Sequence, residues 1–126
     1  AFQPHRYSRT LALLQDFFPI FGAADVVFLT DIYSAGEKAV PGLSGRDLYA
    51  GVQQAGHPAV RYVADRRDLT AHLWDEVRPG DVVVTMGAGD IWRTGEELLH
   101  LLDSRPVSET PCLDNCDLPF AEICQP

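Results

Sequence analysis

Hydrophobic and polar positions along the chain fall into two alternating patterns. Short, nearly unbroken apolar runs rich in β-branched residues occupy residues 25–30 (centred on Val26, Val27, Phe28 and Leu29), 60–63, and 81–85 (centred on Val82, Val83 and Val84). An apolar run without polar alternation marks a parallel strand covered on both faces, so three buried strands are predicted. Between them the apolar residues recur at helical spacing. Residues 9–21 carry Leu11, Leu14, Phe17, Phe18 and Phe21, and residues 44–56 run from a Ser44 cap to a Gly56 stop. Residues 68–77 end at Arg78-Pro79-Gly80, and residues 91–102 carry Leu98, Leu99, Leu101 and Leu102.

This alternation is the signature of an α/β fold, here a three-layer Rossmann-like sheet, mostly parallel, with helices on both faces. Residues 1–3 read as the end of a further strand. Such sheets bind ligands beyond the carboxyl ends of their strands. Residues 5–9, 31–37 and 86–90 therefore stand at the expected ligand edge. After Asp103 the period dissolves. Residues 104–126 are rich in Pro, Ser, Asp and Cys, the composition of an irregular tail or linker. The expected division is a folded unit over 1–103 and a tail over 104–126, in which Leu118, Pro119, Phe120 and Ile123 offer only isolated contacts.

Composition narrows the function classes. The chain has 126 residues, one domain's worth, and 46% of them are hydrophobic, enough for a core. With 10 basic against 18 acidic residues the formal net charge is −8. Such a surface repels phosphate backbones and anionic lipid, which disfavours nucleic-acid and membrane roles. No apolar stretch approaches the roughly 20 residues of a membrane-spanning helix, and no secretory leader is visible. The cysteines Cys112, Cys116 and Cys124 are odd in number and lack zinc spacing, so reduced cytoplasmic thiols and no metal site are expected.

The candidate chemistry begins with His5-Arg6-Tyr7-Ser8-Arg9-Thr10, at a strand-to-helix junction with Ser8 or Thr10 as the expected N-cap. Arg6 and Arg9 are three apart, so in a first helical turn their guanidiniums can point the same way. A helix N-terminus already favours anions, and Arg offers a bidentate fork to carboxylate or phosphate. The spacing fits an anion site and equally fits two solvated arginines paired to surface acids. His5, at a strand end, fits a hydrogen-bonded structural residue as well as a catalyst.

In the next edge segment Asp31 and Glu37 flank Ala35 and Gly36, small residues that let a ligand approach the backbone. The two acids suit an ammonium group or a metal-bound water, and suit turn and cap positions as well. Gly87-Ala88-Gly89-Asp90 invites comparison with the dinucleotide fingerprint, but Trp92 replaces its third glycine and the turn follows the last strand, not the first. It still offers free N–H groups to a polar ligand. Neither a G-x-S-x-G context nor a phosphate loop G-x-x-x-x-G-K-[ST] is present. His57, His72 and His100 are scattered singly and expected at the surface.

Three stretches in this order resemble the C-terminal domain of the Mur ligase family: Phe2 to Thr10, Asp31 to Gly42, and Thr85 to Trp92. The first, Phe2-Gln3-Pro4-His5-Arg6-Tyr7 followed by Arg9, resembles the family's alanine-adding branch in particular. The resemblance runs from residue 1 to about Leu102 and leaves out the tail. It implies a three-domain, ATP-dependent, amide-forming ligase of peptidoglycan synthesis in the bacterial cytoplasm. On that likeness one domain binds the UDP-sugar, a central one holds ATP and Mg2+, and the C-terminal one binds the incoming amino acid. The carboxylate of UDP-N-acetylmuramate is activated as an acyl phosphate, and the amine of L-alanine attacks it. Arg6 and Arg9 match the arginines that hold the alanine carboxylate. His5 matches a motif histidine that positions substrate or phosphate. Asp31, Ala35, Gly36, Glu37, Gly87, Gly89 and Asp90 would face the cleft, by position alone. ATP and Mg2+ are expected mainly in other domains, with no cofactor and no metal held by this chain.

The likeness is partial. The family's histidine-rich segment upstream in this domain is absent from the sequence, as are its first strand and helix and both other domains. The chain alone is therefore expected to be inactive, with the central and N-terminal ligase domains as partners beside L-alanine and UDP-N-acetylmuramate. A further domain fused downstream of the tail is a hypothesis. The rival reading is a stand-alone α/β module that binds an anion or nucleotide without chemistry. An oxidoreductase nucleotide domain is disfavoured by Trp92.

Overall fold

In the computed structural model, which describes residues 1–104, six elements follow one another. They are α1 (Tyr7–Phe17), β1 (Val27–Leu29), α2 (Gly45–Gln54), β2 (Val60–Tyr62), α3 (Arg66–Glu76) and α4 (Trp92–Asp103). The expectations for Cys112, Cys116, Cys124 and the rest of the tail lie outside the described residues.

The sheet is parallel. β1 pairs with β2 in the register Val27 to Val60, Phe28 to Arg61 and Leu29 to Tyr62. On the other side of β1 lie residues 1–3, where Phe2 forms parallel bridges to both Leu29 and Met86. The Phe2 N–H donates to the Phe28 carbonyl at 2.8 Å, the Gln3 N–H to the Met86 carbonyl at 2.9 Å, and the Met86 N–H to the Ala1 carbonyl at 2.8 Å. The lateral order is thus β2, β1, residues 1–3, and the stretch ending at Met86.

Successive residues of a strand point to opposite faces, and β1 uses this to build two cores. Val27 and Leu29 pack with Phe21, Leu48 and Val52, flanked by Leu14, Phe17 and Phe18. Phe28 points the other way, into Val63, Leu69, Leu73, Ile91 and Leu98. Helices α1 and α2 therefore cover one face, and α3 and α4 the other. This is the three-layer α/β architecture the sequence pattern predicts.

The third predicted strand, residues 81–85, is not formed. Val82 is 87% exposed and Val84 54%. Among the described residues this stretch has a neighbour only on the side of residues 1–3, so an apolar run with the letters of a buried strand lies open. Helix limits also differ from expectation. α1 starts at Tyr7 and ends at Phe17, just before Pro19, which lacks the N–H a helix needs; Phe21 joins the core from the turn that follows. α3 starts at Arg66, with Asp65 as N-cap accepting the Arg67 N–H at 2.9 Å.

α2 begins at its expected Ser44 cap, where the Asp47 carboxylate accepts both the Ser44 N–H and its hydroxyl at 2.7 Å. Only glycine fits at the next position. A Cβ on Gly45 would stand 2.2 Å from the Thr30 carbonyl oxygen at the end of β1. Among the described residues, no helix is long and apolar enough to cross a membrane.

Candidate functional site

The chain leaves the sheet through the buried Gln3 and Pro4 and enters α1 at Arg6, whose backbone sits at φ 65°, ψ 136°. Arg6, not Ser8 or Thr10, occupies the N-cap position. Thr10 is 1% exposed and donates both its N–H (3.0 Å) and its hydroxyl (2.8 Å) to the Arg6 carbonyl, so it seals the first turn from inside. Ser8, within that turn, donates its N–H at 3.0 Å to one oxygen of Glu37 and its hydroxyl at 2.7 Å to the other. The negative charge that a helix N-terminus favours is here the chain's own. The Ser8 N–H first, then its hydroxyl, hold the Glu37 carboxyl below the usual carboxylate range, with Arg6 adding to the effect.

Three turns meet at this end of the sheet. The Tyr33 N–H donates to the Pro4 carbonyl and the Arg6 N–H to the Tyr33 carbonyl, both at 2.8 Å. The rings of His5 and Tyr33 stack at 5.7 Å with 9° between their planes. Gly89 lies against this pair, since a Cβ there would come within 2.5 Å of both Gln3 Oε1 and the Tyr33 ring. At Gly87 a Cβ would stand 2.8 Å from the Gln3 carbonyl oxygen. The paired glycines thus serve the close approach of Gln3 and Tyr33.

The other acids of this edge are held by the scaffold. Asp31 accepts the Tyr62 hydroxyl and, at 3.3 Å, the Gly45 N–H at the start of α2. Burial, and then the bond to Asp31, push the Tyr62 phenol up to about 12. Asp90 accepts the Gln3 amide at 3.1 Å and pairs with Arg66 Nε at 3.3 Å. Arg66 continues to Thr94 (3.2 Å) and Glu97 (3.1 Å), and Glu97 accepts the Thr70 hydroxyl at 2.6 Å. His57 is not free at the surface: its ring joins the Ala24 carbonyl (3.0 Å) and the Ala59 N–H (3.2 Å).

His5, Arg6 and Arg9 come together with Ser8 and Ala88 around an open depression. Both guanidiniums are exposed, and among the described residues neither enters an ion pair. Glu37 stands behind Ser8, carried there by an exposed turn in which Ala35 (φ 49°) and Gly36 (φ 84°) are left-handed. Asp31 and Asp90 do not line the depression. Ser8, expected only as a helix cap, and Ala88 line the depression, and Tyr33 stacks on His5 beside it, although the sequence named none of the three as a site residue. Ser8 had a signal, its place between the two arginines; the ring stacking of Tyr33 had none.

Two unpaired guanidiniums on one mouth can grip a carboxylate or phosphate through charge-assisted bonds. Among the described residues, no group of three or more His, Cys, Asp or Glu is placed to hold a metal ion.

Residues 3–89 match the family model described as Mur ligase, glutamate ligase domain. The chain is 49% identical over 102 residues to the UDP-N-acetylmuramate–L-alanine ligase of Geotalea uraniireducens, covering 81% of this chain and 22% of that protein. It is 50% identical over 103 residues to the same-named ligase of Geobacter sulfurreducens (82% and 22%). To that of Myxococcus xanthus it is 46% identical over 109 residues (86% and 23%). The chain therefore spans less than a quarter of the length of these relatives.

Proposed function

The chain belongs to the Mur ligase family, and from that footing we propose that it is the amino-acid-binding domain of an ATP-dependent ligase joining L-alanine to UDP-N-acetylmuramate in peptidoglycan synthesis. The observation that carries this reading is the pair Arg6 and Arg9, unpaired and side by side at the carboxyl end of the sheet. The relatives, named UDP-N-acetylmuramate–L-alanine ligases, supply the substrate.

Arg6 and Arg9 hold the α-carboxylate of alanine, and so leave its amine free to face the activated carboxyl group. His5, stacked on Tyr33, lines the same depression. On this reading ATP and Mg2+ are bound mainly by the central domain, where the sugar-linked carboxylate is activated as an acyl phosphate, the UDP-sugar is bound by the N-terminal domain, and the whole enzyme works in the bacterial cytoplasm. The chain alone is then one wall of an amino-acid pocket and is inactive.

Alanine-dependent ADP release by the complete ligase tests this. Arg6→Ala and Arg9→Ala should each raise the KM for alanine by tenfold or more, the order expected for losing one partner of a desolvated charge pair (about 2–5 kcal/mol). An unchanged KM in both variants would return the arginines to the solvated surface, where such losses stay under about 1 kcal/mol.

A further inference from the structure

Arg6 holds a backbone conformation that L residues rarely adopt (φ 65°, ψ 136°). Such a residue persists only where its surroundings over-determine it, and here they do so from three sides. The Tyr33 carbonyl fixes its N–H, Thr10 fixes its carbonyl, and Glu37 clamps Ser8 two residues on. The first two bonds come from the sheet and from α1 itself. The Glu37 clamp comes from outside both. It reaches α1 from a left-handed turn at Ala35 and Gly36, closed by the Glu37 N–H donating to the Ser34 carbonyl at 3.0 Å.

Ser8 lies between the arginines and lines the same depression. With both its N–H and its hydroxyl engaged, the place where α1 starts is set, and with it the relative bearing of Arg6, just before the helix, and Arg9, one turn into it. Released, Ser8 would leave an orphan N–H in the first turn, and the turn would fray. Resting on the reading of this depression as the alanine-carboxylate site, we infer that Glu37 is a positioning residue: it touches no substrate, and it holds the Arg6–Arg9 pair in the spacing that grips a carboxylate.

The proposal separates Glu37 from a residue of general structural use, because its loss should be felt by one substrate only. In the complete ligase, Glu37→Ala should raise the KM for alanine about tenfold, as expected for losing a helix cap that aligns a charge pair. The KM for ATP and kcat should stay within about twofold of the parent. Glu37→Gln keeps the shape and can still accept the Ser8 N–H, so it should recover most of the alanine KM. Ser8→Ala, which reaches the clamp from its other end, should shift the same KM in the same direction. The double variant should do little more than Glu37→Ala alone.

Arg6→Ala and Arg9→Ala serve as controls on the underlying reading. If they raise the alanine KM while Glu37→Ala and Ser8→Ala leave it unchanged, the positioning role is overturned and the carboxylate site stands. The role is equally overturned if Glu37→Ala worsens the constants for alanine and ATP together. If the arginine variants themselves are silent, the site reading fails, and the inference with it.

Discussion

Both oxygens of the Glu37 carboxylate are taken by Ser8, one by its backbone N–H at 3.0 Å and the other by its hydroxyl at 2.7 Å. Across a separation of 29 residues, this pair ties the segment after β1 to the first turn of α1. The bonds hold the carboxyl below its ordinary value of 4.5. A carboxyl depressed in the folded state stabilises fully above its unfolded value, and that contribution is lost as pH falls through the folded value. Glu37→Gln should therefore melt below the parent near neutral pH, and the gap should close as pH drops below 4.5. Thermal melts across that range check this; a gap that persists unchanged in acid would mean the charge of Glu37 contributes nothing.

Two glycines should respond to alanine with opposite sign. A Cβ on Gly45 would meet the Thr30 carbonyl oxygen at 2.2 Å, a backbone atom that cannot swing aside. Gly45→Ala should cost about 1–3 kcal/mol, the usual range for overpacking. Gly95, within α4, faces Thr85 at 3.5 Å, an ordinary contact. Gly95→Ala should gain about 0.5–1 kcal/mol from the better helix former. Denaturant midpoints of the two variants read the order directly; the reverse order would contradict the packing described at the start of α2.

Arg66 joins α3 to α4 through three partners at once, Asp90, Thr94 and Glu97, with its side chain only 12% exposed. The Thr70 hydroxyl, then Arg66, hold the Glu97 carboxyl below the usual range. Removing the guanidinium should cost about 1–3 kcal/mol, the lower part of the range for paired charges because Asp90 and Glu97 keep some access to water. Arg66→Lys should recover only part of this, since one ammonium nitrogen cannot reproduce the planar guanidinium that meets Asp90 through Nε and Thr94 and Glu97 through Nη1. Full recovery by lysine in chemical denaturation would show that charge alone is what matters there.

The parts of the molecule that could be read from residues alone are those set by neighbours in sequence. The β-branched run ending at Leu29 and the Ser44 cap are of this kind. That Arg6 and Arg9 line one depression also agrees with their spacing of three, although Arg6 stands at the N-cap with a non-helical backbone and not in a first helical turn. The run Val82 to Val84 is as apolar as β1 but, among the described residues, has a neighbour in the sheet on one side alone, and letters do not reveal what lies alongside. Nothing about arginine announces a left-handed φ at Arg6, because the cause lies in Tyr33, Thr10 and Glu37. Gly87 and Gly89 drew notice as a ligand turn; the structure adds that they admit the close approach of Gln3 and Tyr33, residues far from them in sequence.

If Arg6 and Arg9 read a carboxylate, L-alaninamide, which keeps the amine and loses the charge, should be a poor substitute for alanine. In the complete ligase, the parent should prefer alanine over alaninamide in kcat/KM by about 30- to 1,000-fold, the equivalent of about 2–4 kcal/mol. Arg6→Ala and Arg9→Ala should each cut that preference at least about tenfold while leaving alaninamide turnover near the parent's. A parent that uses both amines alike, or arginine variants that keep the full preference, would contradict the account.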